Sequence, residues 1–426
     1  MALVTSIEDV QKWFYSISEL TIYTGDTTTS IPSERITKIG LKYLFEENFF
    51  PVFSLTLVLE SSKYYTILKN KKTSYFKINI EKGYRYNGSE EDSLMRTFIN
   101  QNFSLILDDD DIDSNSTTKR LEASDDYESM MKTDENDLYY TDNEVTFYLF
   151  PTSTIDASKK TVNAILKNCT LMDAANYILS EANFQKVIMT PFENTEEKEL
   201  IVIPPMPASK ALQFLDSYYG FYRSGAMYFS DYDYMYILKY NSDVTAFTDG
   251  EKTEVDIIIP DIESEDMSDI CGTIPETSTI YNIVTIPSNI AIRNASVSTN
   301  AISGTDILSI DNYTGDIQKS EAKVETGSGV SNTKIVSNET ENEWITDIHA
   351  SQTEASSTVV TVTLNDFDIS VLKPNRRYKI IFENPVYTEK YNGLYMLAGF
   401  DSSFVKNGTN LTVSAICTFK RITTKE

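Results

Sequence analysis

The sequence predicts an α+β, mainly β protein: two small antiparallel β-barrel domains, an α/β domain between them, and loop-rich insertions. Three observations predict it. Short runs of alternating apolar and polar residues fill both ends of the chain, as half-buried strands require. The middle switches to helical spacing at two places. Two polar stretches, one acidic and one rich in Ser, Thr and Asn, interrupt the pattern. The expected boundaries are 1–150 for the first barrel domain, with an acidic insertion at about 83–143; 151–245 for the α/β domain; and 246–426 for the second barrel domain, with its insertion at about 287–355.

In chain order, Ile7 to Tyr15 has the spacing of a short amphipathic helical turn. Glu34 to Glu46 alternates as a strand, Phe49 to Leu59 follows after a turn, and Tyr75 to Ile80 continues an antiparallel meander, which suits a small barrel or a sandwich. From about 83 to 143 the runs Asp108-Asp109-Asp110-Asp111, Asp125-Asp126 and Thr133 to Asp137 read as exposed loop. Val145 to Phe150 resumes as a strand ended by Pro151.

Thr170 with Asp173 three residues on forms a capping box before the stripe Leu171, Ala174, Ala175, Ile178, Leu179 and Ala182. Leu200 to Ile203 reads as a short strand stopped by Pro204-Pro205. Ala208 to Tyr219 is a second helix with Gly220 at its C-terminal cap. Two strands follow, turning at Ser224-Gly225 and near Asp231. Val255 to Ile259 and Tyr281 to Ile286 are strands, and 287–340 is a loosely patterned insertion with short strands. Glu341 to Ser351 has helical character. Val359 to Leu364, Arg377 to Phe382, Gly393 to Phe400 and Leu411 to Phe419 complete a second antiparallel barrel.

The chemistry-bearing residues are sparse. Net charge is −26 over 426 residues, which argues against sustained binding to nucleic acid or to an anionic membrane. His349 is the one histidine, set among Glu341, Glu343 and Asp347, so His-pair metal motifs are excluded and triad catalysis is disfavoured. Gly327-Ser328-Gly329 lacks the rest of a phosphate loop. Cys169, Cys271 and Cys417 are too far apart for metal spacing and read as inert thiols of a reducing compartment.

Asp231 and Asp233, among tyrosines, could pass for a glycosidase pair, but two residues apart on a strand they read as one solvated face. Asp111 to Glu122 places acidic residues at positions 1, 3 and 12 and Asn115 at position 5 of an EF-hand-like calcium loop. Ser116 stands where Gly belongs and Phe103 to Leu107 is strand-like, so a solvated acidic loop is the favoured reading. The tyrosines from Tyr218 to Tyr240 read as core and protein contact ahead of a carbohydrate platform. No catalytic, cofactor-binding or metal residue is assigned, and no cofactor is expected. The N-terminus lacks the basic start and apolar core of a signal peptide, and no apolar run is long enough to span a bilayer, so the expectation is a protein made in a host cytoplasm.

The chain resembles the baseplate hub proteins of contractile-tailed phages and their relatives in contractile injection systems. The residues that carry the resemblance are Asn168 to Ala175, Ile203-Pro204-Pro205, Ala211 to Asp216 with Tyr219 to Tyr222, Leu372 to Ile380 and Tyr391 to Tyr395. The segments 85–140 and 290–340 stand outside it. The resemblance implies a structural role: a homotrimeric ring whose two barrels per chain make a pseudo-sixfold torus joining the sixfold tail tube to the threefold central spike. Its implied partners are the central spike protein, tail tube and baseplate proteins, with DNA passing through the channel without specific binding and no membrane contact. The implied location is the virion tail baseplate. The alternatives are a tail-associated protein of a non-contractile phage, a virion adhesin or glycosidase, and a calcium-stabilised surface protein.

Overall fold

The computed structural model describes residues 10–105, 142–241, 254–261, 270–274, 280–294, 304–310, 317–323, 332–337 and 358–422, apart from 26, 90, 185 and 409, together with 344, 348, 351, 352 and 355. The chain opens with strands β1 (Gln11–Thr24), β2 (Thr27–Ser30), β3 (Ile36–Leu44) and β4 (Val52–Glu60), helix α1 (Ser61–Lys69), and strands β5 (Tyr75–Tyr86), β6 (Arg96–Leu105) and β7 (Asp142–Pro151). The middle holds α2 (Thr152–Lys159), β8 (Thr161–Cys169), α3 (Leu171–Ala182), β9 (Val187–Met189), β10 (Lys198–Pro207), α4 (Ala208–Tyr219), β11 (Ala226–Ser230) and β12 (Met235–Lys239). The last part starts with β13 (Glu254–Ile259), β14 (Gly272–Ile274), β15 (Ile280–Val284), β16 (Ile290–Asn294), β17 (Gly304–Ile310), β18 (Ile317–Lys323) and β19 (Asn332–Ser337). It ends with β20 (Thr358–Asn365), β21 (Arg377–Phe382), α5 (Pro385–Tyr391), β22 (Gly393–Asn407) and β23 (Asn410–Arg421). The fold is mainly β, as expected.

One 15-stranded sheet dominates. Strands β22, β3, β4, β7, β6, β5, β1 and β23 are bonded in that order, and β23 returns to β22, so they close a ring. From the same edge of β22 that bears β3, at Gly393 to Tyr395, the sheet continues through β21, β13, β15 and β14, then rejoins β1 at Gln11↔Thr273. The result is a figure of eight: two rings sharing β1, β22 and β23. Strands β20 and β16 extend the sheet from β23. Most pairings are antiparallel, but β13 runs parallel to both β15 and β21. Strands β17, β18 and β19 form a separate sheet within the Ser/Thr/Asn-rich stretch.

Several ring strands alternate buried and outward residues. In β4, Phe53, Leu55, Leu57 and Leu59 are buried while the residues between them are half-buried. Leu411, Val413, Ala415, Cys417 and Phe419 repeat the pattern in β23. All these inward residues belong to one apolar cluster that runs through both rings, so each interior is packed with side chains. Gly399, at a bulge in β22, lies so close to the Tyr43 carbonyl that a Cβ would not fit.

Several expectations change. Residues 11–24 form a strand paired along its length with β5, not a helical turn; a bulge between Ile17 and Glu19 breaks the alternation that would have revealed it. Strand β10 runs through Pro204-Pro205, because the register slips between Ile203 and Met206 and neither proline need donate to the ladder. Strand β6, inside the stretch read as acidic insertion, is a full member of the ring. Helices α1, α2 and α5 join the expected two. The candidate calcium loop Asp111 to Glu122, His349 and most of the segment Glu341 to Ser351 lie outside the described residues.

Two of the shared strands, β1 and β23, are bonded at Tyr15↔Leu411 alone. The segment 366–370 wedges in beside that pair. Asp366, in the left-handed region at φ 52°, accepts from the Trp13 amide at 2.9 Å and donates its own amide to Val413 at 3.0 Å. The buried Tyr15 hydroxyl donates to the Phe367 carbonyl at 3.2 Å and accepts from the Ile369 amide at 2.9 Å. Lys82 on β5 reaches the Asp368 carboxylate at 2.8 Å and the Ser370 hydroxyl at 2.6 Å. This ion pair is nearly dry, with side chains 14% and 8% exposed. Removing one partner of such a pair strands a buried charge at a cost of about 3–5 kcal/mol. Lys82→Met is therefore expected to lower the urea-unfolding free energy by that amount, and the double variant Lys82→Met/Asp368→Leu to regain most of it. Equal losses in single and double variants would show that the pair does not hold the wedge.

Candidate functional site

The middle unit is built from helix signals that work locally. The Thr170 hydroxyl accepts from the Asp173 amide at 3.2 Å, and the Asp173 carboxylate accepts from the Thr170 amide at 2.9 Å, completing the capping box. The six stripe residues of α3 are all buried, and Asn183 ends the helix at φ 64°. Helix α4 buries Ala208, Ala211, Leu212, Leu215 and Tyr219 and ends at Gly220, φ 78°.

Both helices lie against a three-stranded sheet ordered β11, β12, β9. That sheet is covered on its second face by the rings. Met235 and Ile237 of β12 pack with the helices, whereas Tyr236 and Leu238 pack with the ring core. Phe229 and Ile188 also face the rings. Burial on both faces is why Met235 to Leu238 reads as an unbroken apolar run.

The β11–β12 hairpin drives its tip against the mouth of the first ring. Phe229 meets Phe45 at 4.6 Å and Tyr43 at 5.4 Å between ring centroids, and Tyr43 stacks on Phe400 at 4.5 Å. Tyr232 approaches Phe103 at 5.8 Å, and its carbonyl accepts from the Gln101 side chain at 2.6 Å. The Ser230 amide donates to the Phe49 carbonyl at 2.7 Å.

Asp231 organises this tip. It is 8% exposed, correcting the expectation of a solvated Asp231/Asp233 face; only Asp233 is exposed. The two do not share a strand, since both fall in the turn between β11 and β12. The Asp231 carboxylate accepts from the amides of Asp233 and Tyr234 and from the Tyr236 hydroxyl, each at 2.7 Å. The amide bonds form an Asx turn. Burial pushes the carboxyl above the usual carboxylate range, against the pull of those three bonds and of the Lys373 ammonium. The tip is ringed by cations: Lys186 and Lys373 each lie 5.3 Å from the Tyr234 ring. Arg376, 7% exposed, donates to the Val371 carbonyl at 2.7 Å and stacks on Tyr281 at 4.9 Å.

This arrangement locks; it does not present reacting groups. A small cavity of about 150 Å³ is lined by Tyr43, Asp231, Lys373 and Arg376, and both carboxylate oxygens of Asp231 accept hydrogen bonds from its own turn and hairpin. Of the tyrosines from Tyr218 to Tyr240, Tyr219, Tyr222, Tyr236 and Tyr240 are buried and the others half-buried. Cys271 and Cys417 are buried and Cys169 is half-buried, and burial raises all three thiols. Among the described residues no group of three His, Cys, Asp or Glu side chains could hold a metal. The sequence did contain a signal for the Asp231 turn: Ser230-Asp231-Tyr232-Asp233 between two apolar strands is Asx-turn chemistry.

Two substitutions separate the acceptor role from the charge. Asp231→Ala strands two amides and a hydroxyl and is expected to cost about 3 kcal/mol, whereas Asp231→Asn keeps an acceptor and is expected to stay within about 1 kcal/mol. The raised folded pKa fixes the sign of the pH effect. The stability this group contributes is fully present below its unfolded value of about 3.9 and is lost as pH rises through the folded value. Urea midpoints should therefore fall with rising pH more steeply in the parent than in Asp231→Asn; parallel profiles would refute the assignment.

Residues 4–422 match the family described as Bacteriophage PBS1 gene 109 protein. No curated protein matches the chain. Among solved structures the chain is similar to a tail protein from Neisseria meningitidis MC58, at 12% identity and TM-score 0.47, over 96% of this chain and 97% of that one. It is also similar to the 43 kDa tail protein of prophage MuSo2 from Shewanella oneidensis, at 14% identity and TM-score 0.48, over 93% and 96%. A third likeness is to the Francisella PdpA-VgrG complex, at 9% identity and TM-score 0.46, over 98% of this chain and 54% of that one. Since the family match spans nearly the whole sequence, the chain belongs to the Bacteriophage PBS1 gene 109 protein family.

Proposed function

We propose that this chain is a structural protein of a phage tail, acting as a homotrimeric baseplate hub between the tail tube and the central spike, with no catalytic role. The observation that carries the reading is the figure of eight: two β rings in one chain, sharing β1, β22 and β23. Three copies would present six rings in threefold symmetry, a geometry able to meet a sixfold neighbour on one side and a threefold one on the other. Membership of a phage protein family supports the setting.

The packed interiors support it further. Both rings are filled by one apolar core, so a passage for DNA would run between copies and not through either ring. An excess of 63 acidic over 37 basic residues would let DNA slide past without the counterion release that holds it. The hairpin tip, where carboxylate and tyrosines converge, spends its hydrogen bonds on the fold.

Native mass spectrometry and electron microscopy of the purified protein, alone and mixed with its tail neighbours, are expected to give a trimer with an open ring. A monomer under all these conditions would overturn the reading.

A further inference from the structure

Among the exposed apolar side chains, which also include Leu94, Val405 and Ile416, two groups sit beside charges of opposite sign. One is the outer face of the β8–β10 ribbon, a two-stranded sheet whose inner face buries Val162, Ile201 and Ile203 against the helices. On the outer face Ile165 is 69% exposed and Val202 44%, and the two are direct cross-strand partners; Leu200, 48% exposed, lies beside them. Exposed apolar side chains on strands with free edges are a feature that soluble chains normally suppress. Lys159, Lys160 and Lys167 are exposed around this face. Glu199, the ribbon's own carboxylate, falls at the alternate positions shared with Ile201 and Ile203.

The other patch is a groove of about 450 Å³ between β16 and α5, lined by Pro260, Ile290, Ile292, Phe382, Tyr387 and Tyr391. Strand β16 is the last in the sheet, with one edge unpaired among the described residues. On the rim Val386 is 70% exposed and Tyr387 45%. Asp261, exposed, sits at the groove and accepts from the Asn384 side chain at 2.7 Å, and Glu389 is exposed on α5 beside the single base Lys390.

We infer that the β8–β10 ribbon of one copy seats in the β16–α5 groove of the next. The exposed face of the ribbon is apolar and carries Lys167, the cross-strand partner of Leu200; the groove is lined by apolar side chains with Asp261 among them. The occupant is a second copy because an apolar face bearing a lysine and an apolar groove bearing a carboxylate are found on the same chain. A contact between two different patches is heterologous, and such contacts close into rings when the rotation permits. The inference rests on the trimeric reading and names the surfaces that would build it.

The test uses full-length chains in a Cys169→Ser background. Val202→Cys and Val386→Cys are made singly and mixed, then oxidised with copper phenanthroline. The mixture is expected to give a disulfide-linked pair on a non-reducing gel, and neither single variant a linked species. Separately, Ile165→Glu/Val202→Glu and Val386→Glu, all at exposed positions, are expected to shift the trimer-to-monomer midpoint in mass photometry at least about tenfold upward in concentration, with unchanged circular dichroism. A parent trimer that neither cross-links nor weakens would overturn the inference and leave the trimeric reading standing. Cross-linking of Val202→Cys to itself would replace the contact with a two-fold one and overturn it too. A monomeric parent would remove both readings.

Discussion

The wedge at 366–370 is the constraint on which the architecture depends. The shared strands β1 and β23 bond at one pair only, Tyr15↔Leu411. The wedge converts that point into a joint by offering backbone groups to both sides: Asp366 bonds β1 through Trp13 and β23 through Val413. Tyr15 then inserts one hydroxyl that both donates and accepts, which satisfies two buried backbone groups in a place no ladder reaches. Asp368 ties the joint to β5 through Lys82 and to β14 through the Thr273 hydroxyl. Because unpaired buried groups cost far more than pairs gain, this network specifies one arrangement of the rings over the many that a bare apolar core would allow.

The same logic recurs where the middle unit meets the first ring. A hairpin tip pressed into an aromatic core leaves its turn amides without water. Asp231 is the compact solution, a carboxylate that serves two amides and one hydroxyl at once. The cost is a buried charge, partly offset by Lys373. The tyrosines make sense together in this light. Each supplies a broad apolar body for the interface between sheet and ring plus a hydroxyl that can close a bond nearby, as Tyr222 does with the Thr190 carbonyl at 2.5 Å.

How much of this was legible depends on whether the signal was local. Strands with one face in the core, such as β4, β20 and β23, announce themselves by alternation. The capping box at Thr170 and the cap at Gly220 mark α3 and α4 because their reasons lie within a few residues. Strand β1 was misread because its bulge shifts the period midway and its partner lies sixty residues on. Helix α2 buries Thr154, Ala157 and Ser158, a helical spacing made of small residues that carries no large hydrophobic stripe. The burial of Asp231 was illegible for a different reason. An acidic residue in a turn is ordinarily solvated, and only the ring mouth, assembled from β3, β6 and β22, makes this one dry.

A chain that fills both of its rings has no conduit of its own, and that narrows what it can do. Its surface must do the work, and the surface is divided. A net charge of −26 keeps copies apart at long range. The exposed apolar side chains include Ile165 with Val202 on the β8–β10 ribbon and Val386 with Tyr387 on α5. Long-range repulsion with short-range apolar contact favours assembly only when several contacts form together, because each interface alone must first offset the charge. A closed ring satisfies that condition, since the last subunit makes two contacts for one entropic cost.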